Sequence, residues 1–170
     1  MLFGATMIAF LVLRLRIGKD WPTLPPFPGV LWISTGAIML SSATMQLGVL
    51  AIRRGRANAL SAALLITLAL GVGFISLQTV AWLQWVPAAA ERWDRSNEWR
   101  FALTSFYVFT VLHAMHVVGG LIPMALITHR AIINRYDAAH YAGVQYMAMY
   151  WHFLDAVWLA LFATLMLGAQ

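Results

Sequence analysis

Five side chains able to carry proton or metal chemistry lie in otherwise apolar sequence: His113, His116, Gln145, His152 and Asp155. Such groups inside apolar helices are costly, and they mark proton paths, cofactor ligands or paired helix contacts. On a helix, Gln145, His152 and Asp155 follow at spacings of seven and three, which places them on one face with Ala148 between. Asp155 cannot face lipid as a bare carboxylate, so His152, one turn earlier, is its expected partner. Two chemistries fit this pair: a proton relay, or a buried contact that pins helices together. We take the second, because paired buried charges more often specify packing than move protons.

His113 and His116 stand at i and i+3, with Gly119 and Gly120 following on the same side. A bis-histidine haem needs imidazoles on two facing helices, so His152 would have to face one of them. Without Glu or Cys nearby, His113 and His116 alone do not make a metal site. Hydrogen bonding between helices, where small residues allow close approach, is the reading we adopt for this polar seam between helices four and five. Thr67, Gly71 and Gln78 form a further stripe, and Ser41, Ser42, Thr44 and Gln46 another. Both read as helix contacts in lipid. Broken-helix pairs and acidic rings of transporters and channels are absent, as are phosphate loops, nucleophile elbows and HExxH.

The elements that must hold these residues follow from the charges. The chain has 170 residues, with 11 Lys/Arg and 6 Asp/Glu. All of these except Asp155 fall in four short zones, 14–20, 53–56, 91–100 and 130–137. Four of the stretches between them exceed the roughly 20 residues that cross a bilayer as a helix. With 62% hydrophobic and 10% charged residues, the chain reads as an all-α, polytopic transmembrane bundle. No hydrophilic zone is long enough for a soluble catalytic domain.

The expectation is one transmembrane domain over 1–170, with five helices at about 1–16, 29–52, 58–86, 99–128 and 139–167. The first nearly spans if Arg14 and Arg16 snorkel to the interface. Four of the six prolines fall in 21–28, an extended loop. Pro87 is expected to close helix three, and Pro123 to bend helix four. Arg53, Arg54 and Arg56 form a tight basic turn. Trp82 and Trp85 read as interface anchors, and Trp151 and Trp158 as further lipid or interface residues. The net charge of +5 suits anionic lipid headgroups at loop ends, not nucleic acid. The absence of cysteine removes disulfides, thiolate zinc sites, iron–sulfur clusters and covalent c-type haem. The loop charges lean toward the 53–56 and 130–137 zones facing inside.

The sequence around the seam resembles subunit III of the haem–copper (cytochrome c) oxidases. Residues 150–158, Tyr-Trp-His-Phe-Leu-Asp-Ala-Val-Trp, look like the family's YWHFxDxVW signature. Residues 106–120, from Phe106 through His113, His116 and Gly120, are similar to its GxHGxHVxxG run. Ser41-Ser42, 74–78 and the segment from Phe3 to Arg14 add weaker matches. The resemblance implies a non-catalytic accessory subunit that packs on subunit I, binds phospholipid and holds no cofactor of its own. Haem and copper then belong to partner subunits, and the complex sits in a bacterial inner membrane, reducing oxygen and pumping protons. It implies the five-helix form, without the two N-terminal helices of longer members. Ala81 and Gln145 stand where many members have Glu, which weakens any proton-gathering role. A nitric oxide reductase accessory subunit remains an alternative, and a free-standing membrane cytochrome b is a rival.

Overall fold

A computed structural model describes residues 2–18, 28–90 and 97–168. The proline-rich stretch 21–27 and the charged segment 91–96 lie outside the described residues. Five helices follow in order: α1 Leu2–Ile17, α2 Val30–Arg53, α3 Ala57–Ala90, α4 Asn97–Ile132 and α5 Ala142–Gly168. Among the described residues there is no strand. Four helices are long and apolar enough to cross a bilayer, within Val30–Arg53, Ala57–Trp85, Phe106–Ile132 and Ala142–Leu167. The helix α1 has 16 residues and is not among them, so five spans are more than the helix lengths establish.

Cross-helix pairs set the directions. Thr44 meets Thr67 between α2 and α3, and Trp82 meets Thr110 between α3 and α4. Tyr150 meets the His116 carbonyl between α4 and α5. Trp151 meets Ser41, and Trp158 meets Thr35, between α5 and α2. Second contacts, Gly48 beside Leu60, Phe74 against His113 and His113 against Trp158, show that higher numbers on one helix meet lower numbers on its neighbour, so α2 to α5 run up and down. Phe10 of α1, 2% exposed, packs edge-on against Phe109 of α4 at 5.8 Å.

Two helix ends show why the chain turns where it does. The α2 end closes with Gly55 N–H on the Ile52 carbonyl and Arg56 N–H on that of Ala51. This 5→2 and 6→1 pattern requires a left-handed residue at the stop, and Gly55 has φ +70°. The α4 end repeats it. Asn134 N–H bonds the Ala131 carbonyl, Arg135 N–H bonds that of Arg130, and Asn134 has φ 53°. Asparagine adopts this conformation more readily than most side chains. Both turns lie at the same end of the bundle, with Arg53, Arg54, Arg56, Arg130 and Arg135 exposed around them.

Pro87 does not close α3, which continues to Ala90 with the proline inside. Proline at this point removes one N–H, whose helical acceptor would be the carbonyl of exposed Leu83. Pro123 likewise lies inside α4.

Candidate functional site

The interior is organised by tryptophans. Trp151 and Trp158 sit seven residues apart on α5, so they share a face, and both are fully buried. An indole N–H can only donate, and in a bundle surrounded by lipid it needs a protein acceptor. Trp151 donates to the Ser41 hydroxyl at 2.9 Å, and Trp158 to the Thr35 hydroxyl at 3.0 Å. Trp82 donates to the Thr110 hydroxyl at 3.1 Å. Each acceptor hydroxyl has already given its own proton to its helix: Ser41 to the Ile38 carbonyl, Thr35 to that of Leu31, Thr110 to that of Phe106. The lone pair facing the neighbouring helix is therefore the one that accepts. Hydrogen bonds of this kind contribute about 0.6 kcal/mol each on average in membrane bundles.

Trp151 fits because glycines on two neighbouring helices yield space to it. A Cβ on Gly71 of α3 would meet its ring at 3.0 Å and Leu121 at 2.9 Å. A Cβ on Gly120 of α4 would meet Tyr150 at 2.8 Å and the Trp151 ring at 3.4 Å. Trp85 is also inside, 2% exposed, with its ring 4.3 Å from that of Phe106. The four tryptophans expected at lipid or at the interface are thus turned inward, Trp82 by its bond to α4. The N–H groups of Trp82, Trp151 and Trp158 find hydroxyls there, and the rings fill the interior.

His113 is also fully buried. It lies edge-on to Phe74 at 6.0 Å and tilted over Trp158 at 5.2 Å. Three positions further, His116 is exposed, with Nδ1 2.7 Å from the Leu112 carbonyl. The roughly 60° between such positions is enough to carry one ring inward and the other out. Gln145 is exposed, so the structure does not bring it to Asp155.

His152 and Asp155 look toward α2, which corrects the expected seam between helices four and five. The Nδ1 of His152 is 2.6 Å from the Ser42 hydroxyl, and its Nε2 is 3.2 Å from Gln46 Oε1. Both ring nitrogens are engaged, so a haem on His152 would have to displace one of these bonds. Asp155, 5% exposed, lies one turn further along α5, and neither of its carboxyl oxygens has a hydrogen-bond partner among the described residues. The α4 face of α5 is already filled by Trp151 against Gly120, which leaves α2 as the side where polar groups meet. Among the described residues, no group of three or more His, Cys, Asp or Glu side chains could hold a metal ion.

At the basic end, a surface cleft of about 490 Å³ is lined by His129, Arg130, Ile133, Arg135 and Tyr136. Asp137 beside it accepts from the Ala139 and His140 backbone N–H groups, at 2.8 and 2.6 Å. These bonds hold its carboxyl below the ordinary value, with the His140 ring at 3.2 Å adding to them. Thr35, Thr110 and this cleft were not singled out from the sequence. A buried tryptophan calls for an acceptor, and that need was the signal for the two threonines. Arg130 and Arg135 around the helix stop were the signal for the cleft.

Comparison with known proteins bears on the family of the chain. The family profile described as "Cytochrome c oxidase subunit III" matches residues 1–169. A probable cytochrome c oxidase subunit 3 from Nocardia farcinica is 29% identical over 170 residues, covering 97% of this chain and 80% of that protein. The probable subunit 3 of Mycobacterium tuberculosis is 28% identical over 174 residues, with the same coverage. Cytochrome c oxidase subunit 3 of Scyliorhinus canicula is 28% identical over 155 residues, covering 88% of this chain and 56% of that one. Both histidine motifs lie inside the matched region, on the two helices that enclose Trp151. The chain belongs to the cytochrome c oxidase subunit III family.

Proposed function

We propose that this chain is the accessory subunit III of a haem–copper oxidase that passes electrons to oxygen, and that it works in a bacterial inner membrane. The single observation behind this reading is the family match across residues 1–169. In this role it packs against the catalytic subunit I and stabilises it, while haem and copper are held by partner subunits. The helix α1 acts as a fifth span, with Arg14 and Arg16 reaching the interface.

The cleft at the α4–α5 connection supports a lipid role. Arg130 and Arg135 supply the charge that a phosphate headgroup seeks, and Ile133 supplies apolar wall. Arg53, Arg54 and Arg56 lie at the same end and extend the basic rim.

The test is purification of the full tagged chain from its native membrane in mild detergent. A catalytic subunit carrying haem and copper, with cytochrome c oxidase turnover and bound phospholipid, is the expected result. Recovery of the chain alone as a small species overturns the reading. Nitric oxide reduction in place of oxygen reduction moves it to the other branch.

A further inference from the structure

Gln46 of α2 is an exposed amide in an apolar stretch. It lies seven residues before Arg53, about 10 Å from the basic end of the helix. With Arg53 at the interface, lipid at that depth is hydrocarbon and offers no acceptor. The hydrogen bonds around Gln46 fix which half of the amide is in use. Its Oε1 is 3.2 Å from His152 Nε2, and a carbonyl oxygen only accepts, so Nε2 carries the ring proton and donates. In the neutral ring Nδ1 is then bare, and it accepts the Ser42 hydroxyl proton at 2.6 Å. These bonds use the Gln46 oxygen. They leave its N–H2 group with two donors and no partner among the described residues.

The surface around this group suits a helix. Met39, Ala43 and Gln46 follow at spacings of four and three on α2, and Met149, His152 and Ala156 at three and four on α5, so each set forms one stripe. The bond between His152 and Gln46 joins the two stripes into one outer face. Ala43 and Ala156 are exposed and let a neighbouring backbone come close. Met39 and Met149, 53% and 57% exposed, can bend to its shape. A second copy of this chain suits the face poorly. Two-fold pairing sets the face against itself, and its acceptors, Gln46 Oε1 and His152 Nδ1, are already engaged. Donor would meet donor.

We propose that the outer face of α2 and α5 around Gln46 docks a membrane-spanning helix of a different chain, one that presents a hydrogen-bond acceptor to the Gln46 amide. In the accessory-subunit reading that chain is an oxidase subunit, and the docking rests on that reading for the partner's identity alone.

The experiment is photocrosslinking of the full chain in its native membrane, with benzoylphenylalanine placed at Ala43, at Ala156 or, as a control, at exposed Ile66 of α3. Crosslinked peptides are identified by mass spectrometry. Positions 43 and 156 are expected to capture the same membrane-spanning segment of another chain, and position 66 is not. Gln46→Leu is expected to weaken retention of that partner about threefold on dilution in detergent. Lipid adducts alone at 43 and 156, crosslinks to a second copy of this chain, or unchanged retention in Gln46→Leu overturn the proposal. A captured helix from outside any oxidase supports the docking face and overturns the oxidase reading. An oxidase subunit captured only from position 66 does the reverse.

Discussion

Gly71, Gly119 and Gly120 offer a graded test of how tightly the centre is built. In a helix, Gly→Ala alone stabilises by about 0.8–1.0 kcal/mol. At Gly119 a Cβ would meet nothing within 4 Å, so Gly119→Ala should keep that gain. At Gly120 the methyl would press on a Tyr150 ring carbon at 2.8 Å. Tyr150 is 37% exposed and can swing outward, at the loss of its bond to the His116 carbonyl. At Gly71 the methyl would press on Leu121 at 2.9 Å and on two atoms of Trp151 at 3.0 Å. Trp151 is fully buried and held by Ser41, so it has nowhere to move. Overpacking of this kind costs ~1–3 kcal/mol. Set against the helix gain, Gly71→Ala should end about 0–2 kcal/mol less stable than the parent, with Gly120→Ala near neutral. The assay is denaturant titration of the full chain in mixed micelles, followed by circular dichroism and tryptophan fluorescence. Equal stability of Gly71→Ala and Gly119→Ala would refute the reasoning that Trp151 is fixed.

Other outcomes follow from the same contacts. In a double-mutant cycle, Ser41→Ala and Trp151→Phe should couple by about 0.6 kcal/mol, and additive effects would show that the 2.9 Å bond contributes nothing. Asp137 has a lowered pKa when folded, so its contribution is present above the ordinary carboxylate range and is lost as pH falls through the lowered value. Hydrogen exchange at the Ala139 and His140 amides should therefore quicken over that acid range, and in Asp137→Ala it should be fast at all pH values. The purified chain alone should show no haem Soret band. A b-type spectrum lost in His113→Ala or His152→Ala would favour the cytochrome reading.

Much of the architecture was legible because a bilayer imposes it. Charge zones bound the apolar stretches, so α2 was expected at 29–52 and is found at Val30–Arg53. Errors concentrate where that rule ends. The helix α4 runs to Ile132, past the expected 128, because His129 and Arg130 suit the negative end of a helix and stay within it. The helix α5 starts at Ala142, past the expected 139, because Asp137 holds the preceding backbone in a turn. At the site, periodicity showed that His152 and Asp155 lie near one face of α5, but it carries no information on which helix covers that face. Only the contacts place Ser42 and Gln46 there. The tryptophans misled for a related reason. The same ring suits a lipid interface or an interior, and an acceptor on another helix decides between them.

The indole contacts have a consequence for biosynthesis. Ser41, Thr35 and Thr110 satisfy their hydroxyl protons within their own helices. Each of these helices can therefore enter the bilayer by itself, before any neighbour arrives. The partners of Ser41 and Thr35 come later, on α5, which leaves the ribosome after α2, α3 and α4. Until then, the slot bounded by Gly71, Gly120 and Ser41 lacks its filler. Arrival of α5 is thus a checkpoint. A nascent chain stalled before residue 151 should be open to membrane quality-control proteases, and one that has released Trp158 into the bilayer should resist them.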